Sequence, residues 1–211
     1  MTSKRSWAGL IVALAMAPAL AGCGVNAIPT KEERARAAWG DVQSQYQRRA
    51  DLVPNLVATV QASAVQERTV LNEVIEARAR ATSVNVAPGD AAAMQEFQTS
   101  QSELAGALSR LLLVVEAYPE LQSNRNFLEL QNQLEGAENR IAIARRDYNE
   151  AVRAYNTELR TFPGVVWANT VHGGSEPMQP FEATEAAQTA PDVNFNLDAP
   201  PASAGQAAPE Q

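Results

Sequence analysis

The chain has 211 residues, of which 45% are hydrophobic, and this is enough for one sizeable domain with a buried core. Its 17 basic and 24 acidic residues give a formal net charge of −7. An acidic domain is a poor candidate for binding nucleic acid or an anionic lipid surface. Only one cysteine is present, so an internal disulfide is excluded.

The N-terminal residues have the order of a bacterial lipoprotein signal. Lys4 and Arg5 precede an apolar run of about 13 residues, which is shorter than the roughly 20 that span a bilayer as a helix. The sequence Leu-Ala-Gly-Cys at 20–23 then resembles a lipobox, which implies cleavage before Cys23 and acylation of that residue. We therefore predict a signal peptide at 1–22 and a membrane anchor made of acyl chains. An ordinary secretory signal or an uncleaved anchor remains open.

Two helices are predicted in the next part of the chain, after a short tether at 23–29. The sequence Thr-Lys-Glu-Glu at 30–33 matches a capping box and predicts a helix start. Because Pro54 lacks an amide N–H and disrupts a helix interior, we place a corner at 51–54. Asp51 is then the N-cap of a second helix that ends near residue 82.

Two further helices follow from the spacing of apolar residues. Turn-forming residues at 83–90 precede a seam from Met94 to Tyr118 whose gaps alternate between three and four, with Gln101 as its one polar member. Pro119 ends that helix. The same alternation predicts a helix over 124–161, which stops before the Pro-Gly pair at 163 and 164.

These four helices predict an all-α fold, a long antiparallel four-helix bundle over 30–163. A variant with three long helices and a kinked first hairpin remains open. Residues 164–197 are predicted to form an irregular segment that packs on the bundle. The Pro/Ala/Gly-rich tail at 198–211 has little to bury and is predicted to be disordered.

Several long blocks of this sequence resemble the LemA family of bacterial membrane-associated proteins. The blocks are RRADLVPNLVATVQ, VVEAYPELQSNRNFLELQNQLEGAENRIAIARRDYNEAVRAYN and FPGVVWA, and the likeness covers about residues 24–196. The opening GVNAIPTKEERARAAWGDV is similar to the lipoprotein-type members. The resemblance implies a long antiparallel helical bundle held at a membrane and facing outward. It implies no activity and no catalytic residues.

Known catalytic and metal-binding motifs are missing from the sequence. A di-iron carboxylate bundle needs Glu-x-x-His motifs, whereas the single histidine, His172, follows the predicted helices. The sequence also contains no Gly-x-Ser-x-Gly, His-Glu-x-x-His or P-loop motif. We therefore predict no enzyme activity, no catalytic residue, no metal and no cofactor.

The polar residues of the resembling blocks are predicted to form a structural network between helices, which would fix the register of the bundle. We expect Asp51 and Glu116 to cap or brace the two proline corners with an Arg from a neighbouring helix. The alternative is a polar groove that binds a peptide or small molecule. The predicted network contains Arg49, Asp51, Asn55, Arg78, Glu103, Glu116, Asn126, Glu138, Asn139, Arg140, Arg145, Tyr148, Asn149, Tyr155 and Asn156.

The segment RRDYNEAVRAYN at 145–156 repeats one phrase after seven residues. Seven residues make nearly two helical turns, so Tyr148 and Tyr155 share one face with the apolar seam. Asn149 and Asn156 lie beside that face, where we expect them to bond to a neighbouring helix. The repeat is therefore interpreted as two successive layers of a bundle in which each Tyr hydroxyl needs a partner.

Three functions compete on the sequence alone. The favoured one is a non-enzymatic scaffold or partner-binding module, anchored in the cell envelope and facing the periplasm, with the outer membrane preferred over the inner. Its partners would be the membrane, through the acyl chains, and an envelope protein or further copies of the chain. The others are an enzyme or ligand-binding protein that uses a polar groove between helices, and a membrane-shaping protein, which the acidic charge disfavours.

Overall fold

The computed structural model describes residues 24–64 and 66–182, and these form six helices. The four long helices are α1 (Ala27–Ser63), α2 (Arg68–Ser83), α3 (Ala91–Val115) and α5 (Arg125–Arg160). The two short helices are α4 (Pro119–Gln122) and α6 (Gly164–Thr170). The described residues contain no strand, so the predicted all-α fold is confirmed. The predicted signal peptide, Cys23 and the predicted tail lie outside the described residues.

The helices α1 and α5 form an antiparallel pair that runs the length of the bundle. They contain 37 and 36 residues, which corresponds to about 55 Å each at 1.5 Å per residue. Lys31 pairs with Glu158 near one end, and Arg49 Nη1 lies 2.8 Å from Glu138 Oε1 further along. The helices α2 and α3 contain only 16 and 25 residues, so they cannot cover the whole α1–α5 pair.

The apolar side chains form two cores along the bundle. The proximal core, near Gly24, lies between the first half of α1 and the second half of α5. The distal core joins the other halves of these helices to α2 and α3. Large members of the proximal core are Trp39, Tyr46, Phe97, Tyr148, Tyr155, Met178 and Phe181, and those of the distal core are Leu56, Leu71, Leu104, Leu111, Phe127 and Leu134.

The predicted start of the first helix was wrong by three residues. Helix α1 begins at Ala27, so the residues at 30–33 lie inside it and do not form a capping box. The hydroxyl of Thr30 instead donates to the main-chain oxygen of Asn26, 2.7 Å away. The predicted tether therefore ends at Asn26, and the bundle begins earlier than residue 30.

The predicted corner at 51–54 was also wrong, because α1 continues through Pro54 to Ser63. Pro54 cannot donate to the carbonyl of Ala50, one turn earlier. That carbonyl accepts from Arg78 Nε of α2, 2.8 Å away, so the acceptor freed by the proline is satisfied. The chain turns instead between α1 and α2.

Helix α5 has the predicted bounds to within one residue, whereas α3 ends at Val115, three residues before the predicted end at Tyr118. The side chain of Asp90 accepts from the amide of Ala93 and caps α3. The side chain of Asn124 caps α5 in the same way. No helix within the described part of the chain combines the length and apolar character needed to cross a bilayer.

Candidate functional site

The repeat at 145–156 faces a non-helical segment at 176–181, Glu-Pro-Met-Gln-Pro-Phe, which we call the strap. The strap lies along the second half of α5 and places Met178 and Phe181 in the proximal core, where each is only 6% exposed. It therefore occupies the part of the α1–α5 pair that the shorter helices leave uncovered.

Both asparagines of the repeat bind the strap through the nitrogen and the oxygen of their side-chain amides. Asn149 Nδ2 donates to the Phe181 oxygen over 3.0 Å, and the Phe181 amide donates back to Asn149 Oδ1 over 2.8 Å. Asn156 makes the same pair with Met178, at 2.8 and 3.0 Å. Each asparagine thus satisfies the main chain of one strap residue, much as a neighbouring β-strand would.

The two tyrosines of the repeat bind the same segment. The Tyr148 hydroxyl donates to the main-chain oxygen of Gln179 over 2.8 Å, and the Tyr155 hydroxyl donates to that of Glu176 over 3.1 Å. The predicted need of each hydroxyl for a partner is therefore met by the strap. The expectation that the asparagines bond to a neighbouring helix was wrong, because their partners are strap residues.

The spacing of the repeat matches the spacing of the strap. Positions 149 and 156 are seven residues apart on a helix, which is about 10.5 Å along its axis. Their partners Met178 and Phe181 are three residues apart, and three extended residues span about 10 Å. Both pairings therefore require a nearly fully extended strap, and the tripeptides Glu-Pro-Met and Gln-Pro-Phe repeat in step with the two Tyr-Asn pairs.

Aromatic and cation–π contacts of Phe181 also hold the strap. Phe181 lies 5.7 Å from Trp39 and 5.6 Å from Tyr148, measured between ring centroids. The Arg145 guanidinium lies 4.7 Å from the centre of the Phe181 ring, a cation–π arrangement. The Gln179 amide donates to the main-chain oxygen of Pro88, so the loop between α2 and α3 also holds the strap.

Burial changes the acidity of the tyrosines in this core. Desolvation strongly raises the pKa of Tyr148, whose hydroxyl is enclosed by the strap. It also raises the pKa of Tyr155 and Tyr46, although the positive charges of Arg145 and Arg49 oppose the rise at Tyr46. All three hydroxyls are therefore kept neutral and serve as hydrogen-bond donors or packing groups.

A second polar cluster lies at the junction of the two cores, around the buried Arg49. Its Nη1 contacts Glu138 of α5, and its Nη2 contacts Gln101 Oε1 of α3 over 2.7 Å. Gln101 Nε2 in turn donates to the main-chain oxygen of Ala81 at the end of α2. Arg49 and Gln101 thus connect all four long helices, and Arg49 is only 2% exposed.

The rest of the predicted network is divided between buried contacts and the surface. Asp51 accepts from Gln47 within α1 and is exposed, so it caps no helix. Glu116 lies at the turn after α3, where its main-chain oxygen, not its carboxylate, accepts from Gln122. Neither carboxylate therefore pairs with an Arg among the described residues, and the Arg that supports the Pro54 region, Arg78, binds the Ala50 carbonyl instead. The other exposed members are Asn55, Glu103, Asn126, Glu138, Asn139 and Arg140, of which Glu138 pairs with Arg49.

The described surface offers several shallow grooves. One groove of about 420 Å³ lies beside the strap and is lined by Arg153, Thr157 and Arg160 together with both asparagines. Within residues 24–64 and 66–182, no group of three His, Cys, Asp or Glu side chains could hold a metal ion. His172 Nε2 donates to the main-chain oxygen of Val25, 2.8 Å away.

The strap was missed by the sequence reasoning, which predicted an irregular segment at 164–197 and took Pro-Asp-Val-Asn-Phe-Asn at 191–196 as the extended piece that docks on the bundle. That piece lies outside the described residues. The signal that could have found it is the repeated pattern of an amide or acid, a proline and a large apolar residue at 176–181. Three extended residues of the strap cover about the same distance as the seven helical residues that separate the two Tyr-Asn pairs. This is because an extended chain rises about twice as far per residue as a helix.

Comparisons with known proteins show one matching family and several related proteins. A model of the LemA family matches residues 38–195. Two magnetosome proteins of Paramagnetospirillum magneticum, MamQ 1 and MamQ 2, are each 27% identical over 157 residues. Magnetosome protein MamQ of Magnetospirillum gryphiswaldense is 26% identical over the same length. The match covers 65% of this chain but 58% of each relative, so the chain spans little more than half the length of these curated relatives.

Proposed function

The chain belongs to the LemA family, and on this premise we propose that it is a membrane-anchored, non-enzymatic helical scaffold of a bacterial envelope. Its long α1–α5 pair would present an elongated surface to an envelope protein or to further copies of the chain. The proposal rests on the hydrogen bonds of the buried polar side chains. The Tyr and Asn side chains of the repeat bond to the main chain of the strap, and Arg49 bonds to neighbouring helices.

The Tyr-Asn repeat supports a structural role most directly. Asn149 and Asn156 each use both amide atoms on the strap, and Tyr148 and Tyr155 use their hydroxyls there. These atoms are already engaged by a segment whose apolar side chains are buried. A ligand in the groove beside the strap would have to compete with these contacts or use the other groups that line the groove.

The sequence around Cys23 supports the anchor. Its order of a positive start, an apolar run and Leu-Ala-Gly-Cys fits acylation of Cys23, and several acyl chains would hold the protein stably. Helix α1 begins only four residues later, at Ala27. A lipid-anchored protein of this kind would face the periplasm, with the outer membrane as our preferred location.

Crosslinking in living cells tests the scaffold role. The tagged full chain is crosslinked under several growth conditions, purified, and its adducts are identified by mass spectrometry. We expect a reproducible adduct with an envelope protein or with a second copy of the chain. The scaffold role is contradicted if the membrane fraction holds the protein but no adduct rises above background.

The matched control is Cys23→Ser, which removes the atom that would be acylated. We expect this variant to leave the membrane fraction and to lose the adduct. If it stays in the membrane fraction unchanged, anchoring through Cys23 is wrong, whatever the crosslinking of the parent chain gives.

A further inference from the structure

Exposed apolar side chains gather at the end of the bundle where the described chain begins. Phe162 is 83% exposed, Val166 45% and Val171 59%. These are three of the seven large hydrophobic side chains that are exposed within the described residues, and they lie within ten positions of one another. We call Phe162, Val166, Trp167 and Val171 the apolar end.

The beginning of the described chain is fixed against this apolar end. A Cβ added to Gly24 would lie 3.1 Å from Trp167 Nε1 and 3.2 Å from Pro163 Cγ. The main-chain oxygen of Val25 accepts from His172 Nε2. Helix α6 folds back onto α5 at Gly164, where a Cβ would overlap the main-chain oxygen of Glu158. The apolar end is therefore held rigidly beside the point from which the N-terminal residues leave the bundle.

Cys23 directly precedes Gly24, and consecutive Cα atoms are about 3.8 Å apart. Because Gly24 lies beside Trp167, Cys23 is attached to the bundle at the apolar end. If Cys23 carries acyl chains, these enter the bilayer at this end of the molecule. If residues 8–20 are instead kept as an anchor, the chain leaves the bilayer at the same place. In both cases the bilayer surface lies near the apolar end.

Trp167 has the chemistry of a residue at a membrane interface. Its indole N–H is buried beside Gly24 and has no hydrogen-bond partner among the described residues. Indole rings concentrate at the level of lipid headgroups, where the ring is in an apolar setting and the N–H can reach a carbonyl.

We infer that the apolar end is a membrane-contact surface that inserts into the headgroup region of the bilayer. The bundle then contacts the membrane with this end. This inference rests on the proposed membrane anchor but goes beyond it, because a flexible anchor alone would leave the apolar end in water.

Quenching of tryptophan fluorescence by brominated lipids tests this contact. The full chain carrying Trp7→Phe retains Trp39 and Trp167 and is reconstituted into phosphatidylethanolamine–phosphatidylglycerol vesicles with plain or brominated acyl chains. Trp39 is buried and lies about 18 Å from the first residue of α1, measured along the helix axis, so the bromines cannot reach it. We expect brominated vesicles to reduce the fluorescence, and Trp167→Phe to abolish that reduction.

A pair of surface variants separates the contact from the anchor. Phe162→Ser with Val166→Ser should lose most of the quenching while the protein still floats with the vesicles. Leu113→Ser, an equally exposed apolar position in α3, should leave the quenching unchanged. Equal fluorescence in plain and brominated vesicles that carry the parent protein would overturn the inference alone. Failure of the parent to float with vesicles would overturn the membrane anchor, and the inference with it.

Discussion

Single residues explain why a face that resembles an active site is structural. Asn156 donates to and accepts from the main chain of Met178, and Asn149 does the same with Phe181. An asparagine is suited to this role because its amide carries a donor and an acceptor side by side, as a peptide group does. The identity of these residues is therefore set by the main chain of the strap.

Replacing one of these asparagines should destabilise the protein. Asn156→Ala leaves the amide and the carbonyl of Met178 without partners in a partly buried position, so the free energy of unfolding should fall by about 1–3 kcal/mol. Urea denaturation followed by circular dichroism measures the change. The matched control is Asn139→Ala, an exposed asparagine of the same helix, which should change the stability by less than about 0.5 kcal/mol. Equal effects of the two substitutions would rule out the role assigned to Asn156.

The buried tyrosines give the protein a defined response to alkaline pH. A tyrosine in the unfolded chain titrates near pH 10, whereas burial raises the pKa of Tyr148 and Tyr155 in the folded protein. Below pH 10 both states are protonated and the contribution is constant. Above it the unfolded state loses protons first, so stability should fall by at most about 1.4 kcal/mol per pH unit for each tyrosine. This fall continues as the pH rises through the raised pKa.

Chemical denaturation between pH 8 and pH 11 measures this fall, with Tyr148→Phe as the comparison. The variant lacks the hydroxyl whose pKa is raised most, so its stability should decline less steeply above pH 10. An equally steep decline in both proteins would mean that Tyr148 is not the source.

At the scale of helices, the clearest difference from the sequence prediction is the continuity of α1 through Pro54. A proline inside a helix leaves the carbonyl one turn earlier without its donor. Here Ala50 keeps a partner, because Arg78 of α2 donates to its main-chain oxygen. The sequence showed the lost N–H but not the donor that replaces it, since Arg78 comes near only after α2 packs on α1.

A double-mutant cycle tests this compensation. Arg78→Ala leaves the Ala50 carbonyl unsatisfied and should cost about 1–3 kcal/mol. In a Pro54→Ala background the new amide at position 54 can donate to that carbonyl, so the cost of Arg78→Ala should shrink by about 1 kcal/mol. Arg68→Ala, at an exposed arginine of α2, is the control and should cost the same in both backgrounds. Independent effects of Arg78→Ala and Pro54→Ala would exclude the compensation.

The starts of α3 and α5 and the end of α5 could be predicted because local signals agree with the packing. The alternating gaps of three and four over 94–118 and 127–155 mark faces that are buried in the structure. Asp90 and Asn124, at the starts of α3 and α5, cap them through their side chains. The capping-box pattern at 30–33 did not predict the start of α1 correctly. Ile28, which precedes this pattern, is fully buried in the proximal core, and the helix already includes it.

At the scale of the whole molecule, unequal helix lengths create the site for the strap. Helix α2 packs on the distal core and α3 reaches the proximal core only with its first turns, through Met94 and Phe97, so Met178 and Phe181 of the strap complete the proximal core. Arg49 and Gln101 lie at the junction and connect all four long helices. The sequence identified these residues but not the strap, since two prolines in six residues carry no helical or strand periodicity.

Hydrogen–deuterium exchange across the strap tests the central claim, that the Tyr-Asn repeat holds this segment and is not an open site. In the full chain, the amides of Met178, Gln179 and Phe181 should exchange slowly, as those of α5 do, because each donates a hydrogen bond. With Asn149→Ala and Asn156→Ala together, the strap should exchange rapidly while the distal halves of α1 and α5 stay protected. Exchange of the strap in the parent chain at the rate of a free peptide would contradict the claim.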